Sequence, residues 1–379
     1  MKNTHGEFSE THGVLENSRG VFKNWQYSLV KCWTFRNFAT KLLKTVRMKH
    51  LPIFIMAAMM TMSCGNTKKT TTTETTIAAE PVGPAFSADS ALLYCQQQCD
   101  FGPRTMNSEA HERCAEWIVS KFEQLGMTVT TQKATLTGYD GTPLRATNII
   151  ASYHPEAEER IMLCAHWDSR PWADNDPDEA NHKKPVMAAN DGASGVSVMM
   201  EIARLLGSED SKIGIDFICF DAEDWGTPQW DETSGNDGDT WALGAQYWAA
   251  NPHKAGYKAR YGILLDMVGG QGARFYQESV SLYYAPRIVK KVWRAAETVG
   301  FGSYFPTDEG GQITDDHVPV NKKAGIPCID IIPHYPDCEQ SSFGPTWHTV
   351  NDDMQHLDKN TLQAVGQTLV QVIFEELKD

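Results

Sequence analysis

The chain alternates short apolar runs with longer stretches in which apolar residues recur every third or fourth position. Ile161-Met162-Leu163-Cys164-Ala165 is apolar throughout, and 213–220 nearly so, as a strand covered on both faces requires. Further strands are predicted at 129–136, 146–153, 261–265 and 326–332. Over 109–125 the residues Trp117, Ile118, Phe122 and Leu125 fall on one helical face, with Asn107 or Ser108 as the cap. Val196, Met199, Met200, Ala203 and Leu206 form the apolar side of a helix over 192–206. Helices are also predicted at 240–250, 287–299 and 361–377. Strand and helix in alternation over roughly 290 residues define an α/β fold: a mostly parallel central sheet with helices on both faces. Ligands of such sheets bind beyond the carboxyl ends of the strands.

The pattern changes before residue 86. Met48-Lys49-His50 precedes a 12-residue apolar run, 51–62, and then Ser63-Cys64-Gly65. A basic start, a short apolar core and small residues make a secretory signal, and the run is too short to span a bilayer. A cysteine at the cleavage point resembles a bacterial lipoprotein signal, with Cys64 as the acylated N-terminus. Thr61 and Met62 depart from that pattern, which usually has Leu and a small residue there. The expected organisation is an upstream extension over 1–47, a signal over 48–64, a Thr-rich flexible tether over 65–85 and one folded domain over 86–379. The expected location is the bacterial cell envelope, with the membrane touched only through the lipid.

Composition narrows the class. At 41% hydrophobic the chain buries a sizeable core and is not disordered. The net charge is -14, and with residues 1–64 set aside the remainder holds 25 basic and 45 acidic residues. A nucleic-acid binder would show a basic footprint instead. Seven cysteines follow Cys64, none in a CxxC spacing, which disfavours a thiolate zinc site. Cys164, Cys219 and Cys328 read as core residues, and Cys95 and Cys99, which share a helix face, as packing.

Polar residues gather at the predicted strand ends. His166-Trp167-Asp168 closes one buried strand, Phe220-Asp221-Ala222-Glu223-Asp224-Trp225 a second, and Leu265-Asp266 a third. Asn190-Asp191-Gly192 opens a helix, Asp315-Asp316-His317 opens a helical turn, and Trp347-His348-Thr349 lies on a late loop. Any one of these reads as a capping carboxylate. Together they offer oxygen and nitrogen ligands on one edge, the donor set of a catalytic zinc. The doublet Glu223-Asp224 is the informative part. Adjacent carboxylates repel unless a cation or proton intervenes, so one can face a metal while the other works as acid or base.

In these segments, and in their order and rough spacing from about Asp89 to the C-terminus, the chain resembles the zinc-dependent glutaminyl cyclases of animal and bacterial type. These share a fold with the zinc aminopeptidases. The resemblance implies one Zn²⁺ on Asp191, Asp224 and His348, with Glu223 as general acid/base. It implies that Asp266 and Asp315 form a hydrogen-bonded carboxyl pair, and that Trp225 and Trp347 line the glutamine pocket. The implied partners are peptides or proteins with N-terminal glutamine. The glutamine α-amine attacks its own side-chain amide, giving pyroglutamate and ammonia. The chain is expected to be a monomer. Two departures stand out: animal members usually carry Glu where this chain has Asp224, and the loop 230–241 is longer and more acidic than theirs.

The strongest rival is a two-metal zinc aminopeptidase, in which Asp191 bridges, His166 and Asp266 hold the second metal, and Glu223 activates water. Trp347 favours the cyclase, because an apolar wall suits glutamine. A rival of another class is a catalytically idle surface-binding lipoprotein using its Trp-rich acidic loop. Asp174-Asn175-Asp176-Pro177-Asp178 lacks the Gly and terminal Glu of a calcium loop and is expected to be solvated. Gly192-Ala193-Ser194-Gly195 is not a serine-hydrolase elbow, and His111-Glu112 lacks a second His for a HExxH site.

Overall fold

A computed structural model describes residues 80–207, 211–231 and 240–378. The predicted signal with Cys64, the extension before it and most of the predicted tether lie outside these residues. Six strands form one sheet in the order β1-β2-β4-β3-β5-β6. They are β1 (Thr128–Thr137), β2 (Pro143–Tyr153), β3 (Arg160–His166), β4 (Gly214–Phe220), β5 (Gly262–Leu265) and β6 (Cys328–Ile331). The run β4-β3-β5-β6 is parallel, and the hairpin β1–β2 joins β4 antiparallel at one edge.

Side chains alternate across the parallel strands, and both faces are covered. Ile161, Leu163 and Ala165 of β3 enter one apolar cluster, Met162 and Cys164 the other. The first cluster packs against α1 (Ala88–Cys99), α2 (Glu109–Gln124), α3 (Ala193–Leu206), α6 (Pro286–Thr298) and α7 (Lys359–Glu376). The second packs against α4 (Leu243–Ala250) and the turn after His317, while α5 (Ser279–Tyr284) sits beside β6. Because β3 and β4 are buried at every residue, their sequences carry no polar alternation. Cys164, Cys219 and Cys328 are buried in these clusters, and all seven described cysteines are free thiols.

One predicted boundary moves. Residues 80–85, expected to be tether, lie along α7. The Val82 N–H donates to Gln371 Oε1 at 2.7 Å, the Phe86 N–H to Gln367 Oε1 at 2.9 Å, and Gln371 Nε2 donates to the Glu80 carbonyl at 3.3 Å. Val82 packs on the core. Glutamines at 363, 367 and 371 repeat every four residues, so α7 presents one row of amides to an incoming extended segment.

Candidate metal and active site

The parallel strands β3, β4 and β5 end at His166, Phe220 and Leu265, and the polar residues that follow meet there. Backbone amides set their positions. The Glu223 and Asp224 N–H groups donate to the two Asp168 carboxylate oxygens at 3.0 and 3.1 Å, which ties the end of β4 to that of β3. The Asn190 and Asp191 N–H groups donate in the same way to Asp352, at 2.7 and 3.0 Å. Gly192 follows at φ +110°, where a Cβ would stand 2.8 Å from the Asp168 carbonyl, so only glycine turns the chain from Asp191 into α3. Ala222, Met267 and His348 all take left-handed backbone beside or at the site residues.

Asp191, Asp224 and His348 converge, with one ligand atom from each within 4.8 Å of the others. His348 Nε2 lies 3.2 Å from Asp224 Oδ1 and 3.6 Å from Asp191 Oδ2. All three side chains are buried, and Asp224 Oδ2 has no hydrogen-bond partner. Two buried carboxylates facing one imidazole and an unsatisfied oxygen fit a divalent cation such as zinc. Its other face is braced by residues that the sequence suggested were solvated. Asp174 and Asp176 are buried: Asp174 Oδ1 faces His348 Nδ1 at 3.5 Å, and Asp176 Oδ2 accepts the Val350 N–H at 3.1 Å. The Asn175 N–H donates to the His348 carbonyl at 3.0 Å. Arg170, also buried, forks onto Asp174 at 3.0 and 2.7 Å and donates to the Asp224 and Gly226 carbonyls. The loop is therefore the seat of the His348 segment, because the Asp174 and Asp176 carboxylates meet backbone N–H groups and an Arg, while Asp178 is exposed as expected.

Protonation follows burial and crowding. Burial, with the charges of Asp224, Asp315 and Asp316, raises the Glu223 pKa well above the carboxylate range, and His166 offsets part of this. Burial and Asp191 raise Asp266 to about 6, and burial and Asp266 raise Asp315 to about 7. Asp315 Oδ2 is buried without a hydrogen-bond partner, and Asp266 Oδ1 faces His166 Nε2 at 3.3 Å; crowded buried carboxyls of this kind hold a proton to higher pH. Burial opposes the charged form of His348, yet Asp224 and Asp174 outweigh it and its pKa rises to about 9. Near Asp315 lies a buried group of which the sequence singled out only His317, not its partners Glu278 and Asp330. His317 Nε2 is 3.2 Å from Glu278, a carboxylate capping α5, and His317 Nδ1 is 3.7 Å from Asp330. His166 Nε2 lies 2.9 Å from Asp191 Oδ1 and 3.3 Å from Asp266 Oδ1, a second three-residue donor group.

A cavity of about 300 Å³ opens above these acids. Asp191, Glu223, Asp266 and Asp315 line it together with His348 and the apolar side chains of Trp241, Phe343, Trp347, Ile313 and Ile332. Trp347, one of the two tryptophans the resemblance put at the pocket, is in this lining and lies stacked on His348 at 3.8 Å between ring centroids. Trp225 does not line the cavity. Its ring packs against Gly138 and Trp172, because the chain turns after Asp224 and carries it to the outer side. Trp241 takes that place, parallel to the His348 ring at 5.9 Å, with the Arg170 guanidinium 4.6 Å from its centroid. A larger groove of about 840 Å³ between α2 and the β1–β2 hairpin is lined by residues such as Glu112, Glu116 and Lys133, away from this cluster.

Carboxylates and imidazoles at the carboxyl end of a mixed sheet define a metal-dependent enzyme of the zinc exopeptidase and glutaminyl cyclase class. The chain belongs to peptidase family M28, whose profile matches residues 148–373. It is 30% identical over 305 residues to the aminopeptidase YwaD of Bacillus subtilis, covering 78% of this chain and 58% of that one. It thus spans less than two thirds of that relative's length. Among solved structures, a Bacteroides thetaiotaomicron glutaminyl cyclase bound to N-acetylhistamine matches at 53% identity and TM-score 0.76, covering 78% of this chain and all of that one. A leucine aminopeptidase precursor from the same species matches at 53% identity and TM-score 0.75, covering 78% and 99%.

Proposed function

We propose that this chain is a glutaminyl-peptide cyclotransferase acting on peptides with N-terminal glutamine. The observation that carries the reading is the small cavity, with aromatic walls and a floor of crowded carboxyls, at the low end of ligand-site volumes. Such a space suits one side chain folded back on its own amine. The likeness to the Bacteroides glutaminyl cyclase supports it.

One zinc is proposed on Asp191, Asp224 and His348, and when bound it supplies Lewis-acid polarisation of the side-chain amide. Glu223 stands beside that site with a raised pKa, suited to taking a proton from the α-amine. The amine nitrogen bonds to the amide carbon, the carbon–nitrogen bond to the leaving group breaks, and Glu223 returns the proton to the departing ammonia. Asp266 and Asp315, sharing one proton, would receive the amine end of the substrate. Trp347, Trp241 and Phe343 would keep water from competing, and the tethered amine then attacks at high effective concentration. The cell envelope remains the proposed location, with Cys64 as the lipid attachment point.

The donor group His166, Asp191 and Asp266 favours a second reading, the two-metal aminopeptidase. Metal counting with product analysis separates the two. The cyclase is expected to hold one zinc and to release ammonia from glutaminyl peptides without freeing amino acids. Glu223→Gln should keep the zinc and lose about 10²-fold or more in rate. Two bound zincs, with amino acids released and glutamine left open, would establish the peptidase instead.

A further inference from the structure

The described body of this acidic chain carries a basic face at the end of the sheet away from the cavity. Arg287, Lys290, Lys291 and Arg294 follow the i, i+3, i+4, i+7 spacing on α6 and share one side of the helix. With Lys378 they make up five of the six residues lining a surface hollow, the sixth being Glu375. Arg287, Lys290, Arg294 and Lys378 are exposed, and none of the four enters an ion pair among the described residues. Lys291 pairs with the buried Glu376. Just before α6, Tyr283 and Tyr284 end α5, with Tyr283 79% exposed. Exposed tyrosines next to clustered Lys and Arg are the side chains that settle at a lipid headgroup layer.

Two positions indicate what this face meets. Glu376 also accepts from the Tyr261 hydroxyl at 2.9 Å, and Tyr261 directly precedes β5 (Gly262–Leu265), whose other end leads to Asp266. The basic face thus lies at the amino end of β5 and the cavity at its carboxyl end. The chain also enters the described body on the basic side: Gln371 Nε2 bonds both the Glu80 carbonyl and Glu375, the acid at the edge of the hollow. The segment leading back to Cys64 therefore starts about one helical turn from the patch.

We propose that α6 and Tyr283–Tyr284 form a docking face for an anionic phospholipid surface, which holds the domain on its membrane with the cavity turned outward. This orientation complements the proposed lipid attachment at Cys64, but the binding belongs to the patch and is tested without the lipid. The full chain carrying Cys64→Ser is mixed with vesicles of phosphatidylcholine alone, or with about one third phosphatidylglycerol, and bound protein is measured by flotation. Residues 1–64 carry nine Lys/Arg against three Asp/Glu and attract anionic lipid themselves, so the patch is read from the difference between this chain and the same chain with the patch charges reversed. The expected result is at least tenfold greater partition onto anionic vesicles, abolished by about 0.5 M salt. Adding Lys290→Glu and Arg294→Glu should cut the partition onto anionic vesicles at least tenfold, leave binding to phosphatidylcholine alone as it was, and leave glutamine cyclisation unchanged. Equal binding to both vesicle types, or an undiminished preference in the double variant, would overturn the proposal. So would competition by millimolar inorganic phosphate, which would mark a small-anion site. Whether Cys64→Ser releases the protein from cell membranes tests the anchor separately, and a failure there leaves the vesicle comparison intact.

Discussion

His348 has acids on both sides of its ring: Asp224 faces Nε2 and Asp174 faces Nδ1. A carboxylate on the far nitrogen fixes ring orientation and makes the ligating nitrogen a better donor. Asp174→Asn keeps the shape and removes that charge. It is expected to weaken zinc binding by about 10- to 100-fold in a chelator competition, while the protein remains folded at room temperature. Unchanged affinity would mean that Asp174 serves only the Arg170 fork. The sequence signalled the three donors that converge but not this support. A carboxylate at a strand end stands out in one dimension. Asp174 and Asp352 grip an imidazole or backbone N–H groups far away in the chain, and they look like any loop acid; Asp168 stood out at its strand end, but not its hold on the Glu223 and Asp224 N–H groups. Trp225 errs the other way: adjacent to Asp224 in the chain, it is turned out of the cavity, and Trp241 enters from beyond a long loop.

At the level of elements, the site depends on how closely α3 approaches the sheet. A Cβ at Gly195 would stand 2.3 Å from the Leu265 carbonyl and 2.8 Å from the Ala165 side chain. Neither neighbour is a flexible side-chain end, so Gly195→Ala must push α3 away from β3 and β5. A loss of roughly 1–3 kcal/mol is expected in denaturant unfolding. Cyclisation should slow as well, because Asp191 sits just before the displaced helix. The parallel strands were legible because burial on both faces leaves unbroken apolar runs. Helix α1 was not. Its Gln98 is fully buried, donating to the Tyr94 and Ala193 carbonyls and Ser197, while Leu93 is 55% exposed. A helix that buries an amide and exposes a leucine has no clean stripe to read.

For the whole molecule, the acids at the strand ends make stability depend on pH and metal together. Asp266, Asp315 and Asp352 have folded pKa values raised to about 6, 7 and 7, each by burial first. A raised carboxyl stabilises the fold below its unfolded pKa of about 4 and loses that contribution as pH climbs through the folded value. His348, raised to about 9, acts in the same direction between about 6.5 and 9. Metal-free protein should therefore melt at a lower temperature at about pH 8 than at about pH 5.5. Zinc should narrow the gap, since a cation replaces the missing protons. A metal-free melting temperature that rises over this range would contradict the account.

The segment 347–352 does two things at once. It carries His348, and four residues later Asp352 grasps the amides of Asn190 and Asp191. Two of the proposed ligands thus hang on one latch. When the segment lifts, the imidazole leaves and the Asp191 turn loses its anchor in the same movement, so no half-dismantled site is held in place. Exchange of the proposed zinc is then expected to be a gated event, timed by how often the latch opens rather than by the strength of any single bond to the ion.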